Sequence, residues 1–292
     1  MGYIAIQGFD EASITGAMIF WRLSSGAHYA RLLAELRANS VPAALHPPPA
    51  SPAAVLNRVL NDRYAGRNCL VRPLAKGAGY AIMPRADVEG RPLFQTAWSV
   101  QISVAANKAV ELTFSDDAPE SEVVPVEDGV SLGLTTLGDN EMSSWMSQVV
   151  KHLQAVSMRE SGGVYFIPAA HVETWRAINK SVRTRCPGMQ LYEVPVVRTE
   201  QAIEAVLESL TEGIAKEVAI ASNHVEELET KRNGGTKIQQ RSVDGVTQKL
   251  AELLQKVKRY EGVLGVGLES LQKQVEAVQT QVGIAFLPAG GL

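Results

Sequence analysis

Four carboxylates lie close together in the sequence and are the first candidates for chemistry. Asp116 and Asp117 are adjacent, and Asp139 and Glu141 follow further along the chain. Carboxylate oxygens are the ligands that hard divalent cations prefer, so a metal-dependent enzyme is one hypothesis. Asp116 and Asp117 also end a strand-like segment, where solvated turn residues are the commoner interpretation. We therefore rank this hypothesis third and assign no metal ligand.

The other reactive residue types form no known catalytic motif. The five histidines are scattered, and the sequence contains no HExxH, Cys-x-x-Cys, GxxxxGK[ST] or GxSxG pattern. Gly77 and Gly79 are followed by strand-like residues, whereas a dinucleotide site needs a helix there. We assign no catalytic residue, no cofactor and no small-molecule substrate, and we expect a non-enzymatic protein.

Composition and cysteine content predict a globular cytoplasmic protein. The chain has 292 residues, 46% of them hydrophobic and 6% aromatic, which is sufficient for one large domain or two ordinary ones. Cys69 and Cys186 are too few for a disulfide framework, and we expect no secretory signal at the start of the chain. The longest uncharged run, 38–57, contains five prolines, so we expect no membrane helix.

The net charge of −3 hides a segmented distribution. Residues 22–92 sum to +6 and residues 93–150 to −8. Further along, residues 201–230 sum to −6 and residues 231–260 to +6. Blocks of opposite sign face either different partners or one another.

Residues 1–90 are predicted to form a small basic module. Helices over 27–38 and 52–64 and a β-hairpin over 69–84 follow in the order of a winged-helix module. Its second helix and wing would bring basic side chains to phosphates, and the candidate nucleic-acid-binding residues are Arg58, Arg63, Arg67, Arg72, Lys76 and Arg85. The connector between the helices holds five prolines and is longer than a helix-turn-helix turn. The other interpretation is a packing unit with solvated arginines.

Residues 91–199 are predicted to form an antiparallel sheet followed by a strand-helix-strand unit. Alternating apolar residues over 98–115 indicate a hairpin, and the acidic stretch 116–128 is predicted to be a loop or an exposed edge. A helix is expected over 142–159. The strand-helix-strand unit covers Val164–Ile167, Ala169–Arg185 and Leu191–Val197. It is a crossover unit that would be right-handed if its two strands are parallel neighbours. A further short strand is expected at Tyr3–Gln7.

Residues 200–284 carry the clearest pattern, which predicts an antiparallel coiled-coil hairpin. Apolar residues recur at spacings of three and four on both sides of a turn at Asn233-Gly234-Gly235. The predicted interface comprises Ile203, Leu207, Leu210, Ile214, Val218, Val225, Leu228, Leu253, Val257, Tyr260, Leu264, Leu268, Leu271, Val275 and Val278. Gly265-x-Gly267 would lie inside this hairpin and allow close helix approach. Residues 285–292 are expected to be a tail.

The charges and lengths of the two arms predict association. The acidic arm would lie beside the basic arm, so that opposite charges set their register. The basic run Lys249, Lys256, Lys258 and Arg259 is therefore assigned to helix pairing in preference to a nucleic-acid patch. The second arm is the longer, and its unpaired apolar end would need cover. We expect a homo-oligomer or a complex with another helical protein.

Several stretches resemble a family of uncharacterised proteins encoded by phages, plasmids and other mobile elements. The resemblance is carried by Leu56–Arg72, Arg159–Pro168, Arg241 and Lys258–Glu261. It implies a mobile-element context and transfers no activity or site residue.

The fold class predicted from the whole sequence is α+β, a globular body followed by the helical hairpin. The leading function is self-assembly or partner binding through that hairpin. The alternative is a nucleic-acid-binding protein that uses residues 27–85 as the reader and the hairpin for oligomerisation, with DNA as the partner.

Overall fold

The fold is taken from a computed structural model of the chain. It describes residues 14–23, 26–64, 66–75, 78–88, 91–106, 108–160, 162–235 and 238–286. Helices and antiparallel sheets are both present, which confirms the α+β class. None of the described helices combines the length and apolar character that a bilayer span needs. The strand expected at Tyr3–Gln7 falls outside the described residues.

The secondary-structure elements are numbered in chain order. The described helices are α1 (Tyr29–Ala38), α2 (Pro52–Tyr64), α3 (Glu120–Thr135), α4 (Asp139–His152), α5 (Val172–Arg185), α6 (Glu200–Asn233), α7 (Gln240–Leu264) and α8 (Glu269–Phe286). The described strands are β1 (Ile14–Arg22), β2 (Ala27–His28), β3 (Cys69–Pro73), β4 (Gly79–Val88), β5 (Arg91–Phe94), β6 (Trp98–Val104), β7 (Val110–Phe114), β8 (Thr136–Leu137), β9 (Val156–Ser157), β10 (Val164–Pro168) and β11 (Gln190–Val197).

The chain divides into two compact units, each built from distant segments. Unit one comprises the described parts of 1–21, 149–176 and 191–292, and unit two those of 22–148 and 177–190. The predicted segments 1–90, 91–199 and 200–284 follow the sequence order instead. The two divisions differ because strands far apart in the sequence pair in unit one.

Unit two contains an antiparallel sheet with strand order β3-β4-β6-β7, and β5 pairs with the outer end of β4. The hairpins predicted over 69–84 and 98–115 are confirmed. Trp98, Val100 and Ile102 alternate with polar residues along β6 and are buried. This alternation gives the sheet one covered face.

Helix α2 has the predicted bounds and packs against α3, which the sequence analysis missed. The prediction of a loop or exposed edge over 116–128 is wrong, because α3 begins at Glu120. Glu120 and Glu122 lie in its first turn, where the helix dipole favours negative charge. Pro125 lies inside the helix. A proline in a sequence argues against a helix at that position, because it removes a helical hydrogen bond.

Two glycines allow α3 to approach α2 closely. A Cβ added at Gly129 would lie 2.8 Å from Val59, and one added at Gly133 would lie 2.5 Å from Val55. Both distances are too short for carbon atoms at van der Waals contact. The close contact between the two helices therefore requires glycine at these positions.

Helix α4 is shorter than the helix predicted over 142–159. It ends at His152, and Gln154 has a positive φ of 54°. Val156 then lies in β9, which pairs with β10. Strand pairing thus replaces the last turns of the predicted helix.

Unit one contains a four-stranded sheet with order β11-β1-β10-β9. Strand β1 was not predicted; it is antiparallel to β10. The Thr15 hydroxyl donates to the Val196 carbonyl at 3.2 Å, and the Phe20 and Tyr192 rings stack at 4.7 Å. These contacts run in opposite directions along the two strands, so β1 is antiparallel to β11 as well. Strands β10 and β11 are therefore parallel, but β1 lies between them, so the two strands of the predicted strand-helix-strand unit are not neighbours in the sheet.

The C-terminal segment of unit one folds into three helices instead of two arms. Helix α7 ends at Leu264, and Gly265 follows in the left-handed conformation with φ of 67°. Arg198 donates to the Leu264 carbonyl at 3.0 Å and so satisfies the end of α7. A carboxylate oxygen of Glu261 accepts from the Leu268 amide at 3.0 Å and fixes the approach to α8.

This turn folds α8 back against both α6 and α7. Leu271, Val275 and Val278 of α8 are buried in the same core as the apolar residues of the other two helices. The prediction of a single long second arm with an exposed apolar end is therefore wrong. Gly265 and Gly267 form part of the turn and do not mediate close packing inside a coiled coil.

Substitution of Gly265 tests this turn. Gly265→Ala is expected to lower the free energy of unfolding by about 1 kcal/mol or more, because left-handed φ is unfavourable for a residue with a Cβ. That Cβ would also meet the Arg198 guanidinium. Gly262→Ala is the matched control, since an added Cβ there meets nothing within 4 Å and alanine favours a helix. Urea unfolding followed by circular dichroism measures both, and equal effects would contradict the account of the turn.

Candidate protein-binding groove

The candidate site is a solvent-open groove between α6 and α7 in unit one. It has a volume of about 530 Å³ and is lined by residues within 220–227 of α6 and 241–249 of α7. Ala221 and Val246 form its buried floor. Ile220 lines it with 59% of its surface exposed, which is unusual for a large apolar side chain. We call this stretch the distal groove.

The chain's own residues 154–157 cover α6 and α7 beyond the distal groove. The Tyr260 hydroxyl donates to the Gln154 carbonyl at 2.9 Å. The Lys256 ammonium donates to the Ala155 carbonyl, also at 2.9 Å. Strand β9 follows directly and packs against α6. The helices therefore hold an extended segment partly through its backbone carbonyls.

Burial changes the pKa of both donors. Desolvation lowers the pKa of Lys256 below its ordinary value, and the nearby negative charge of Glu217 partly offsets this effect. Desolvation raises the pKa of Tyr260. A hydrogen bond offsets the cost of placing such polar groups in an apolar seam. The hydrogen bonds to the Gln154 and Ala155 carbonyls therefore offset the free-energy cost of burying Tyr260 and Lys256.

The distal groove continues the covered part along the same helix faces. Lys249 lies seven residues before Lys256 on α7, which is two helical turns. Ile220 lies three residues after Glu217 on α6, which is one turn. The two helices thus form one groove that the segment 154–157 fills over part of its length and leaves open over the rest.

Charged and polar side chains line the distal groove on both helices. They are His224 and Glu227 on α6, and Arg241 and Lys249 on α7. None of the four takes part in an ion pair within the described residues. The ion pairs predicted between the acidic and basic arms are likewise not formed among the described residues of α6 and α7. The register of the helices is therefore set by apolar packing.

All fifteen residues of the predicted coiled-coil interface lie in one apolar core of unit one. Twelve are buried, and Ile203, Leu207 and Val218 are partly buried against them. Val206 and Leu250 belong to the same core and were not in the predicted set. Because α8 and the sheet share this core, it is the interior of a helical bundle on a sheet.

Two of the six candidate nucleic-acid-binding residues are engaged by carboxylates of unit two. Arg58 pairs with Glu141 at 2.6 Å. Arg63 pairs with Glu122, which also accepts a hydrogen bond from the Tyr64 hydroxyl at 2.6 Å. The Arg63 guanidinium holds the pKa of Glu122 below its usual range. These two arginines of α2 therefore face α3 and α4.

The other four candidates have different surroundings. Arg67 lies with its guanidinium carbon 6.0 Å from the ring centroid of the tyrosine that ends α2. Arg85 pairs with Asp87 at 3.0 Å on the exposed part of β4. Arg72 is exposed on β3. Lys76 lies outside the described residues, so the structure brings no continuous basic surface together from this set.

The four carboxylates considered for metal binding have separate roles or positions. Glu141 bonds to Arg58 and accepts from the Gly138 amide at 3.0 Å. Asp116 and Asp117 lie in the turn after β7, and α4 begins at Asp139. Within the described ranges, no group of three His, Cys, Asp or Glu residues is placed to hold a metal ion.

The groove residues were only partly visible in the sequence. Lys249 belongs to the basic run that was assigned to helix pairing. The predicted interface did not include Ile220, His224 or Glu227, because they fall outside the apolar spacing of α6. Ile220 did carry a usable signal, because a large apolar residue beside the predicted stripe indicates a second contact face.

The Arg63–Glu122 pair predicts a pH-dependent stability. Because the pKa of Glu122 is lowered in the folded chain, its contribution is present above its unfolded pKa and is lost as pH falls through the folded value. Glu122→Gln is expected to lower the free energy of unfolding of unit two by about 1 kcal/mol at neutral pH and by less in acid.

The exposed Glu127 of the same helix provides the matched control, Glu127→Gln. Urea unfolding of both variants at neutral and acidic pH measures the difference. A loss for Glu122→Gln that stays constant with pH, or one equal to that of the control, would contradict the role of the pair.

Comparison with known proteins places the chain in a family. The model of a family of unknown function, DUF6744, matches residues 95–287. The match covers the whole helical bundle and the distal groove, and excludes α1, α2 and the strands β3 to β5. No curated protein and no solved structure matches the chain. Since the match spans more than half of its length, the chain belongs to the DUF6744 family.

Proposed function

We propose that this chain is a non-enzymatic protein-binding protein whose helical bundle holds another chain segment in the distal groove. One observation carries the proposal. A single groove between α6 and α7 is covered by the segment 154–157 over part of its length and is open over the rest. The covered part supports a polypeptide segment as the occupant, because 154–157 lies against the same helices.

The chemistry of the open part suits a polypeptide. The floor at Ala221 and Val246 is apolar, and Ile220 adds exposed apolar surface. Covering that surface removes it from water, which favours association. Lys249 repeats the position of Lys256 two turns earlier and offers an ammonium donor for a backbone carbonyl. Contacts of this kind do not depend on a reacting group, in keeping with a binding role.

The distal groove, and not an exposed end of a coiled-coil arm, is the surface to which we now assign binding of another chain. The sequence suggested an uncovered end of a coiled-coil arm, and α8 covers that end within the chain. Partner binding now rests on the groove. A mobile-element context and a cytoplasmic location remain proposals, supported by the resemblance of the Gly162–Pro168 string and by the free thiols of Cys69 and Cys186.

Nucleic-acid binding by residues 27–85 remains the alternative proposal, with less support. The order of elements favours it, because α2 is followed by the β3–β4 hairpin. Against it, Arg58 and Arg63 are used inside unit two, and reversal of either charge would disturb folding. Of the six candidate residues, only Arg67 and Arg72 combine an exposed position with no carboxylate partner within 4 Å among the described residues.

Binding to duplex DNA distinguishes the two proposals. The alternative predicts an affinity that falls steeply with salt and falls further in Arg72→Glu, because each phosphate contact releases counterions. The protein-binding proposal predicts neither effect. Fluorescence anisotropy of a labelled duplex at two salt concentrations is the measurement, and a salt-dependent affinity lost in Arg72→Glu would favour the alternative.

Site-specific cross-linking tests the protein-binding proposal directly. Ile220 is replaced by the photo-reactive residue p-benzoylphenylalanine, and cells that express the full chain are irradiated. We expect a cross-linked product of higher mass, because a docked chain would lie against this rim. Ile284 of α8, which is 71% exposed and does not line the groove, is the matched control position. Cross-linking at Ile220 no stronger than at Ile284 would overturn the proposal.

A further inference from the structure

We propose that the occupant of the distal groove is a second copy of this chain, docked so that α6 of each copy faces α7 of the other. The inference rests on the proposed function and names the partner. It is carried by charges of opposite sign that line the groove on its two helices and that form no ion pair among the residues the structure describes.

The unpaired charges are the first step. Residues 200–233 of α6 sum to −5 and residues 240–264 of α7 to +2. On the groove itself α6 contributes the carboxylate of Glu227, and α7 contributes the cations of Arg241 and Lys249. Within the described parts of α6 and α7, no carboxylate of one helix lies within 4 Å of a cation of the other. Charges of both signs that line one face repel a partner with the wrong charge pattern and attract a partner with the complementary one. This face therefore selects a partner that carries a positive strip beside a negative one.

The second step is that the face is complementary to itself in one orientation. A symmetric dimer uses the same patch on both copies. If the two-fold axis is parallel to the groove, α6 of each copy lies over α7 of its partner. Two equivalent contacts then form, and in each the acidic helix of one copy faces the basic helix of the other. If the axis crosses the groove, α6 lies over α6 and α7 over α7, so like charges meet. Electrostatics thus favours the first arrangement alone.

The turn between α6 and α7 sets the level of the contacts along the groove. Helix α6 ends at Asn233 and α7 begins at Gln240, and residues of both helices line the same groove. The helices are therefore antiparallel, and residues at equal distances from the turn are level with one another. Glu227 lies six residues before Asn233 and Val246 lies six residues after Gln240, so these two are level, with Arg241 and Lys249 on either side of Val246. With the axis parallel to the groove, Glu227 of each copy faces Arg241 and Lys249 of its partner.

Space is available at this level for the partner. Gly245 lies between the two cations on α7, and a Cβ added there would meet nothing within 4 Å. The absence of a side chain leaves α7 open to the approach of a helix. In the same register Ile220 is level with Leu253, so its exposed side chain would lie against the partner's α7 about two turns beyond Gly245.

Complementary charge reversal tests this arrangement in the purified full chain. We expect wild type to form a dimer in sedimentation velocity that weakens with salt. Glu227→Lys alone and the double variant Arg241→Glu with Lys249→Glu alone are each expected to dimerise about tenfold more weakly or worse, because like charges then meet. Mixing the two variants restores opposite charges at both contacts, so we expect a heterodimer of wild-type affinity. Circular dichroism confirms that each variant is folded.

Glu226→Lys is the matched control. Glu226 is exposed on α6 next to Glu227 but does not line the groove. The Glu226→Lys variant is therefore expected to dimerise with wild-type affinity. Equal weakening in this control would overturn the proposed register, as would a mixture that shows no rescue. A wild-type chain that stays monomeric while Ile220 still cross-links in cells would overturn the second copy as partner and leave the proposed function standing. A monomer without cross-linking at Ile220 would overturn both.

Discussion

Burial of one apolar stripe by three helices of the same chain is the constraint on which unit one depends. The stripe runs through α6, α7 and α8, and the left-handed Gly265 lets α8 return to cover it. Without that turn, the last helix would extend into water with its apolar face exposed. Once α8 covers one side of the α6–α7 pair, the strand segment 154–157 covers part of another, and the distal groove is the stretch that remains open.

Charge has two different roles in the two units. In unit two, the basic block 22–92 and the acidic block 93–150 offset each other inside the fold, as Arg58–Glu141 and Arg63–Glu122 show. Ion pairs of this kind fix α2 against the elements that follow it. In the described parts of α6 and α7, no ion pair joins the two helices, and Glu227, Arg241 and Lys249 line a solvent-facing groove. Paired charges hold a fold together, whereas unpaired charges of both signs beside an apolar floor suit recognition.

Local patterns predicted local structure well. Helix α2 has the bounds read from the sequence, because a serine before Pro52 and an apolar stripe mark it without tertiary help. The hairpins of unit two follow from alternation, and the apolar residues of the bundle from their spacing. Strand β1 was missed because its partners are β10 and β11, far along the chain. Helix α3 was missed because its stability comes from packing of Gly129 and Gly133 on α2, which outweighs Pro125. The turn before α8 was missed because the apolar stripe continues in phase across Gly265, so periodicity alone does not reveal a turn there.

The central claim is that α6 and α7 share an open groove that another chain covers. Hydrogen–deuterium exchange of the purified full chain at low and high protein concentration examines it most directly. The account predicts slower exchange at high concentration for peptides that contain 220–227 and 241–249, with no change for peptides of α8. Exchange rates in those two stretches that are independent of concentration would contradict a groove covered by a second copy, and protection confined to α8 would move the contact surface elsewhere.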